Sequence, residues 1–227
     1  MNSDNLTRQI SLNLVAICVF GMTLSSLILP LLEVSSTIPI AIIFAIIVIT
    51  TVDGLFFNST VATLIIDTIA SRSPTYRQRI LHHEAGHFLV AHLLGIPITG
   101  YNLSAWESLQ AGQSAQGGTS FAPPPAEISA QLLQNYCTVW MAGIAAENSI
   151  YDRAEGGSDD RQKLRGVLFL SGKQQQEIVT QENLATLRAK TLIQNHWEAY
   201  QALAIAMGDK TAVAECCQEI DRHGTMT

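Results

Sequence analysis

Residues 76–97 read YRQRILHHEAGHFLVAHLLGIP. The stretch predicts a helix from Tyr76 to Leu94, because Gly95 suits a helix cap and Pro97 cannot continue the pattern. Inside it lies His83-Glu84-Ala85-Gly86-His87. Positions i and i+4 of a helix share a face, so the two imidazoles can bind one metal ion. Glu84 between them can reach water at that ion. Gly86 costs a helix interior about 0.5–1 kcal/mol relative to Ala, which close approach of a neighbouring element would explain. His82 points about 100° away around the helix and reads as a packing or supporting residue. A catalytic zinc usually takes three protein ligands. Positions 90 and 93 are Val and Leu, so the longer His-Glu-x-x-His-x-x-Gly-x-x-His pattern, whose last residue is a third ligand, is absent. The third ligand must be an acid from elsewhere: Glu147, Asp159 or Asp160, among which spacing does not choose.

Downstream, Ile98–Leu103 and Gly118–Phe121 are predicted to pair as short strands across a polar connection. After Pro123-Pro124-Pro125, apolar residues recur at helical spacing from Ile128 to about Tyr151. Further helices are expected over 159–170, 175–207 and 210–221. Ser171-Gly172-Lys173 is no phosphate loop: Gly166 is one residue too far away, Gln174 replaces Ser or Thr, and a helix precedes it. No nucleotide site is expected on this chain.

Upstream the composition changes. Residues 1–70 carry one basic residue, Arg8, and four acidic ones. Ile10–Leu32 is free of charge, and Ile38–Phe57 contains only Asp53 near its end. At 1.5 Å per residue either run is long enough for a bilayer core of about 30 Å. A transmembrane helical hairpin is therefore expected, with spans at about 10–32 and 38–57. Asp53 then falls at headgroup depth. The first run is too long, and its flank too nearly neutral, for a cleaved secretory signal. The connection carries no Lys or Arg, whereas Arg8 and then Arg72, Arg77 and Arg79 flank the pair. That places the following domain on the cytoplasmic or stromal side. Residues 58–75 read as a linker with an interfacial helix.

Over the whole 227-residue chain the formal net charge is −6 and charged residues make up 14%. There is no basic block, which argues against nucleic-acid binding. Four scattered cysteines without a Cys-x-x-Cys pair make neither a zinc knuckle nor a disulfide scaffold. The fold class expected is mainly α: a membrane hairpin (1–57), a linker (58–75) and a helical metallopeptidase domain with a small β-hairpin (76–227).

From about Gln78 to Glu219 the chain resembles the peptidase domain of the FtsH family, the membrane-anchored, ATP-dependent zinc proteases. His-Glu-Ala-Gly-His is that family's metal helix. Gly118-Thr119-Ser120-Phe121 resembles its substrate-side strand. Met141–Glu147 resembles its L-G-G-R-x-A-E segment, with Ile144 in place of Arg. Gly157-Ser158-Asp159-Asp160 resembles its G-A-S-N-D segment, whose last residue is the third zinc ligand. The resemblance thus implies Asp160 as that ligand, 73 residues after His87. Residues 182–219, including Leu192–Trp197, resemble its C-terminal helices. The family's ATPase module has no counterpart: about twenty residues separate the second apolar run from the metal helix.

The resemblance implies that His83, His87 and Asp160 hold Zn2+ and that Glu84 is the general base. It also implies that an extended polypeptide pairs with Gly118, Thr119, Ser120 and Phe121. The function expected is a membrane-anchored, ATP-independent zinc endopeptidase acting on unfolded or membrane-proximal segments, in a bacterial plasma or thylakoid membrane. Expected partners are polypeptide substrates, the lipid bilayer, and either further copies of the chain or ATP-dependent membrane proteases. Two other roles compete: a non-catalytic scaffold or regulatory subunit of such a protease, and a metal sensor that never cleaves. Retention of Glu84 weighs against both.

Overall fold

A computed structural model of the chain describes residues 3–28, 37–56, 60–112, 117–123, 125 and 128–224. Among these the fold is mainly α, with one two-stranded antiparallel sheet. The chain divides into two compact units, one of residues 3–73 with 104–116, the other of 74–103 with 117–227.

The first unit contains α1 (Ser3–Ile28), α2 (Thr37–Phe56), α3 (Thr60–Ala70) and α5 (Ala105–Gln110). Where described, both apolar runs are thus helical. Among the described residues no helix is long and apolar enough to cross a membrane, so the two expected spans are not shown. The end of the first expected span, the connection at 29–36, and the side chains of Ile40, Ile43 and Ile47 lie outside the described residues. Asp53 is buried, and its Oδ1 accepts the Val61 N–H at 3.0 Å, capping the first turn of α3. Asp67 does the same for α5, accepting the Ala105 N–H at 2.9 Å. The helix α5 was not foreseen: the strand connection read as polar and irregular, yet Ser104 starts a helical turn by accepting the Glu107 N–H at 3.2 Å.

The second unit is built around α4 (Pro74–Leu93), buried from His83 through Ala91. Pro74 suits a first helical turn, where its missing N–H is no loss. At the other end the Ile96 N–H reaches the Ala91 carbonyl at 2.9 Å, and Gly95 (φ 69°) makes the turn that Pro97 completes. Against α4 lie α6 (Ala130–Trp140), α7 (Ala142–Tyr151), α9 (Gln175–Asn195) and α10 (Trp197–Gly208). Helix α8 (Ser158–Leu170) packs on α6 and α9, and α11 (Val213–Gly224) on α10. The main core gathers Phe88, Leu89, Val139, Tyr200, Leu203 and Met207. A second cluster holds Met141, Leu164, Leu168, Ile178 and Ile144, the last at the position where a family arginine was expected.

Strand β1 (Ile98–Asn102) pairs antiparallel with β2 (Gly118–Phe121), Tyr101 opposite Thr119, with an irregularity between Ile98 and Gly100. Two long expected helices are broken. The 128–151 pattern bends at Met141, which ends α6 and begins α7. The 175–207 pattern breaks at His196, whose φ of −120° and ψ of 40° leave the helix. Periodicity survives such bends, because the apolar face is continuous across them.

The crossing of α4 and α7 explains Gly86. A Cβ added there would lie 2.6 Å from the Ala142 carbonyl oxygen and 2.7 Å from the Ala146 Cβ. One obstacle is backbone and cannot turn away. Gly86→Ala is expected to destabilise the domain by about 1–3 kcal/mol, the range of an overpacked core. Thermal unfolding of the chain without added metal checks this, and an unchanged midpoint contradicts the close crossing.

Candidate metal centre

One helical turn apart on α4, His83 and His87 meet with ring centroids 4.7 Å apart. Their outer nitrogens converge on a single carboxylate oxygen. Asp160 Oδ2 lies 3.2 Å from His83 Nε2 and 3.3 Å from His87 Nε2. Ligand atoms of His83, Glu84 and His87 all fall within 4.8 Å of one another, and all three residues are buried. Asp160 comes from the first turn of α8, so two segments distant in sequence deliver the cluster.

The inner nitrogens are equally defined. His83 Nδ1 is 2.7 Å from Glu147 Oε1, and His87 Nδ1 is 2.7 Å from the Val139 carbonyl oxygen. Each partner is an acceptor, so each Nδ1 carries a proton and donates it. In the neutral ring that leaves the Nε2 lone pair free, which is the tautomer a metal requires. Two such nitrogens, one carboxylate oxygen and a further carboxylate nearby fit the N/O donor set of a catalytic zinc site. Gly143 makes room beneath: a Cβ there would collide with the His83 ring at Nε2.

Glu84 is held at the edge of the cluster. Thr119 donates its backbone N–H to Glu84 Oε2 at 2.7 Å and its hydroxyl to the same oxygen at 3.0 Å. The Thr119 N–H therefore points away from β1, so the outer edge of β2 faces the two histidines' helix. Of the other residues predicted for the substrate strand, Phe121 packs on the main core, and Gly118 and Ser120 pair with Asn102 and Gly100.

Of the three acids left open by spacing, only Asp160 touches both histidines. Asp159 is exposed, beside the Ser158 hydroxyl at 3.3 Å. Glu147 is buried behind His83 as its hydrogen-bond partner, on the side away from the converging Nε2 atoms. Sequence reasoning missed this part, although a glutamate ending the small-residue segment 141–147 was the available signal. It also missed the Thr119 contact, which joins residues 35 positions apart and has no local spacing signal. His82 does point elsewhere: its Nδ1 is 3.1 Å from the Tyr200 hydroxyl, and burial lowers its pKa.

Charge also ties the residues of the centre together. Burial alone would lower the His83 pKa, but hydrogen bonds to Asp160 and Glu147 outweigh it and push it up to about 10. Burial would raise the Asp160 pKa, but His87 and His83 hold its carboxyl well below the usual range. Glu147 is likewise lowered against burial, by His83 and by the backbone N–H groups of Glu155 and Gly156.

A metal needs His83 neutral. At pH 8 an ordinary histidine is already neutral, whereas His83 raised to about 10 is still protonated. Zinc uptake at pH 8 is therefore expected to release about one proton per ion. Titration calorimetry in buffers of different ionisation heat measures this, and a heat independent of the buffer contradicts the charged pairing. The chain matches no protein-family model and no curated protein, so the reading of this centre rests on its own residues.

Proposed function

We propose that the chain is a membrane-anchored zinc endopeptidase that works without ATP on unfolded or membrane-proximal polypeptide segments. The observation that carries it is the convergence of His83 Nε2 and His87 Nε2 on Asp160 Oδ2, with Glu84 in the same buried cluster. The resemblance of residues 78–219 to the FtsH peptidase domain supports the same reading.

His83 and His87 would hold the ion through Nε2, and Asp160 through its carboxylate. Zinc there supplies Lewis acidity toward the scissile carbonyl and a more acidic water. Glu84 accepts the proton of the attacking water and delivers it to the leaving amine. Thr119 holds the Glu84 carboxylate through two donors, which fixes the base near the place of reaction. An extended substrate would lie along β2, with the Thr119 N–H already given to Glu84 and the rest of the strand available to guide its backbone. Gly118, Thr119, Ser120 and Phe121 form that strand. These 227 residues contain no phosphate-loop pattern, and the substrates proposed are segments already unfolded.

The membrane anchor is part of the proposal. It rests on the sequence: the apolar runs 10–32 and 38–57 would reach a hydrocarbon core of about 30 Å if helical throughout. Along them Ile17, Phe20, Leu27, Ile42, Phe44 and Ile49 are exposed large apolar side chains, a surface suited to lipid. In this proposal the positive flanks favour the cytoplasmic or stromal side of a bacterial plasma or thylakoid membrane for the second unit. Self-assembly, or association with an ATP-dependent membrane protease, would bring substrates already unfolded.

The full chain is expected to remain in carbonate-washed membranes. In detergent it should then cleave unfolded casein with zinc and without ATP. Glu84→Gln should lower the rate by at least about 100-fold, the scale of general-base catalysis, while still binding zinc. Release by carbonate contradicts the anchor. Zinc bound without cleavage contradicts the enzyme and favours the scaffold role.

A further inference from the structure

Arg79 lies one turn before His83 on α4 and touches neither histidine's outer nitrogen. Its guanidinium gathers three acceptors. Nη1 is 3.3 Å from Glu147 Oε2 and 3.3 Å from the Arg153 carbonyl oxygen, and Nη2 is 3.2 Å from Glu155 Oε1. Its Cζ sits 4.2 Å from the centre of the Tyr151 ring. The arginine side chain is 15% exposed and both carboxylates only 3%, so these charges face each other rather than solvent.

Glu147 has every acceptor position in use. Oε1 takes His83 Nδ1 at 2.7 Å and the Gly156 N–H at 3.3 Å. Oε2 takes the Glu155 N–H at 2.9 Å and Arg79. One carboxylate thus fastens two separate parts of the centre: the His83 ring, and the turn at 155–156 that leads into α8 and Asp160. A buried carboxylate free to rotate would do neither, and two buried carboxylates without a cation would repel.

We propose that Arg79 is a positioning residue of the metal centre: through Glu147 and Glu155 it fixes the His83 ring and the turn that delivers Asp160. The inference rests on the metal-centre reading. It assigns a charged residue outside the His-Glu-x-x-His motif a share in metal affinity. The planar fork matters as well as the charge, because one guanidinium spans two carboxylates and a carbonyl with its Cζ over the Tyr151 ring. A lysine ammonium is a point charge and cannot hold all of them in one geometry.

The test measures Zn2+ affinity of the full chain in detergent by competition with a chromophoric chelator, alongside circular dichroism and the visible bands of bound Co2+. Arg79→Gln is expected to weaken Zn2+ binding about tenfold or more, the scale for residues that orient a ligand. The Co2+ bands should change with it. Arg79→Lys should fall between, about threefold weaker than the parent. On a Glu147→Gln background, Arg79→Gln should cost clearly less than in the parent, because the Glu147 arm is already weakened and the Glu155 arm is what remains. Parent-like affinity and Co2+ bands in a folded Arg79→Gln overturn the proposal. So does an undiminished tenfold loss on the Glu147→Gln background. If Arg79→Gln does not fold, Arg79→Lys decides: parent-like affinity there overturns the role of the fork. A parent chain that binds no Zn2+ is a different result, and removes the metal-centre reading itself.

Discussion

The close crossing of α4 and α7 is the constraint on which the second unit depends. With a glycine at position 86 and alanines at 142 and 146, the two helices meet closer than ordinary side chains allow. That contact brings Gly143 under the His83 ring and Glu147 behind it. A bulkier residue at 86, 142 or 143 would lift α7 away from α4. His83 would lose its partner, and the turn after α7 would no longer carry Asp160 toward the histidines. The small residues of 141–147 thus act on the chemistry through distance. The bend at Met141 belongs to the same arrangement, since it lets α6 supply the Val139 carbonyl to His87 while α7 supplies Glu147 to His83.

Charge is the second organising factor. Glu84, Glu147 and Glu155 are all buried, and Asp160 is largely covered. Arg79 answers two of these carboxylates. His83 answers Asp160 and Glu147 through its two ring nitrogens. A divalent cation at the converging Nε2 atoms would answer the same carboxylates with a stronger charge.

Much of this was legible in the sequence. The metal helix, its Gly95 and Pro97 stop, the tolerance of Gly86 and the two short strands follow from local rules of spacing and backbone conformation. Asp160 was not separable from Glu147 and Asp159 by spacing, because tertiary proximity, rather than distance along the chain, selects a ligand. The resemblance to a known segment made that choice, and the geometry brings the same residue to both histidines. The breaks at Met141 and His196 were hidden because an apolar stripe continues through a bend. Helix α5 was hidden because six residues carry too little periodicity. The Thr119 bond to Glu84 joins residues 35 positions apart, and the Arg79 clamp joins residues 68 and 76 positions apart, so neither has a local signature. Where described, the apolar runs of the first unit are helical, and the anchor they suggest stands as a proposal.

The central claim is that His83, His87 and Asp160 together make one metal site. X-ray absorption at the zinc edge of the full chain loaded with one equivalent tests it directly. The account predicts a shell of nitrogen and oxygen at about 2.0–2.1 Å, with the outer scattering of two imidazoles and no sulfur. Asp160→Asn should alter the oxygen part of that shell and leave both imidazoles. Sulfur scattering, or a shell of oxygen without imidazole, would place the zinc elsewhere and contradict the account.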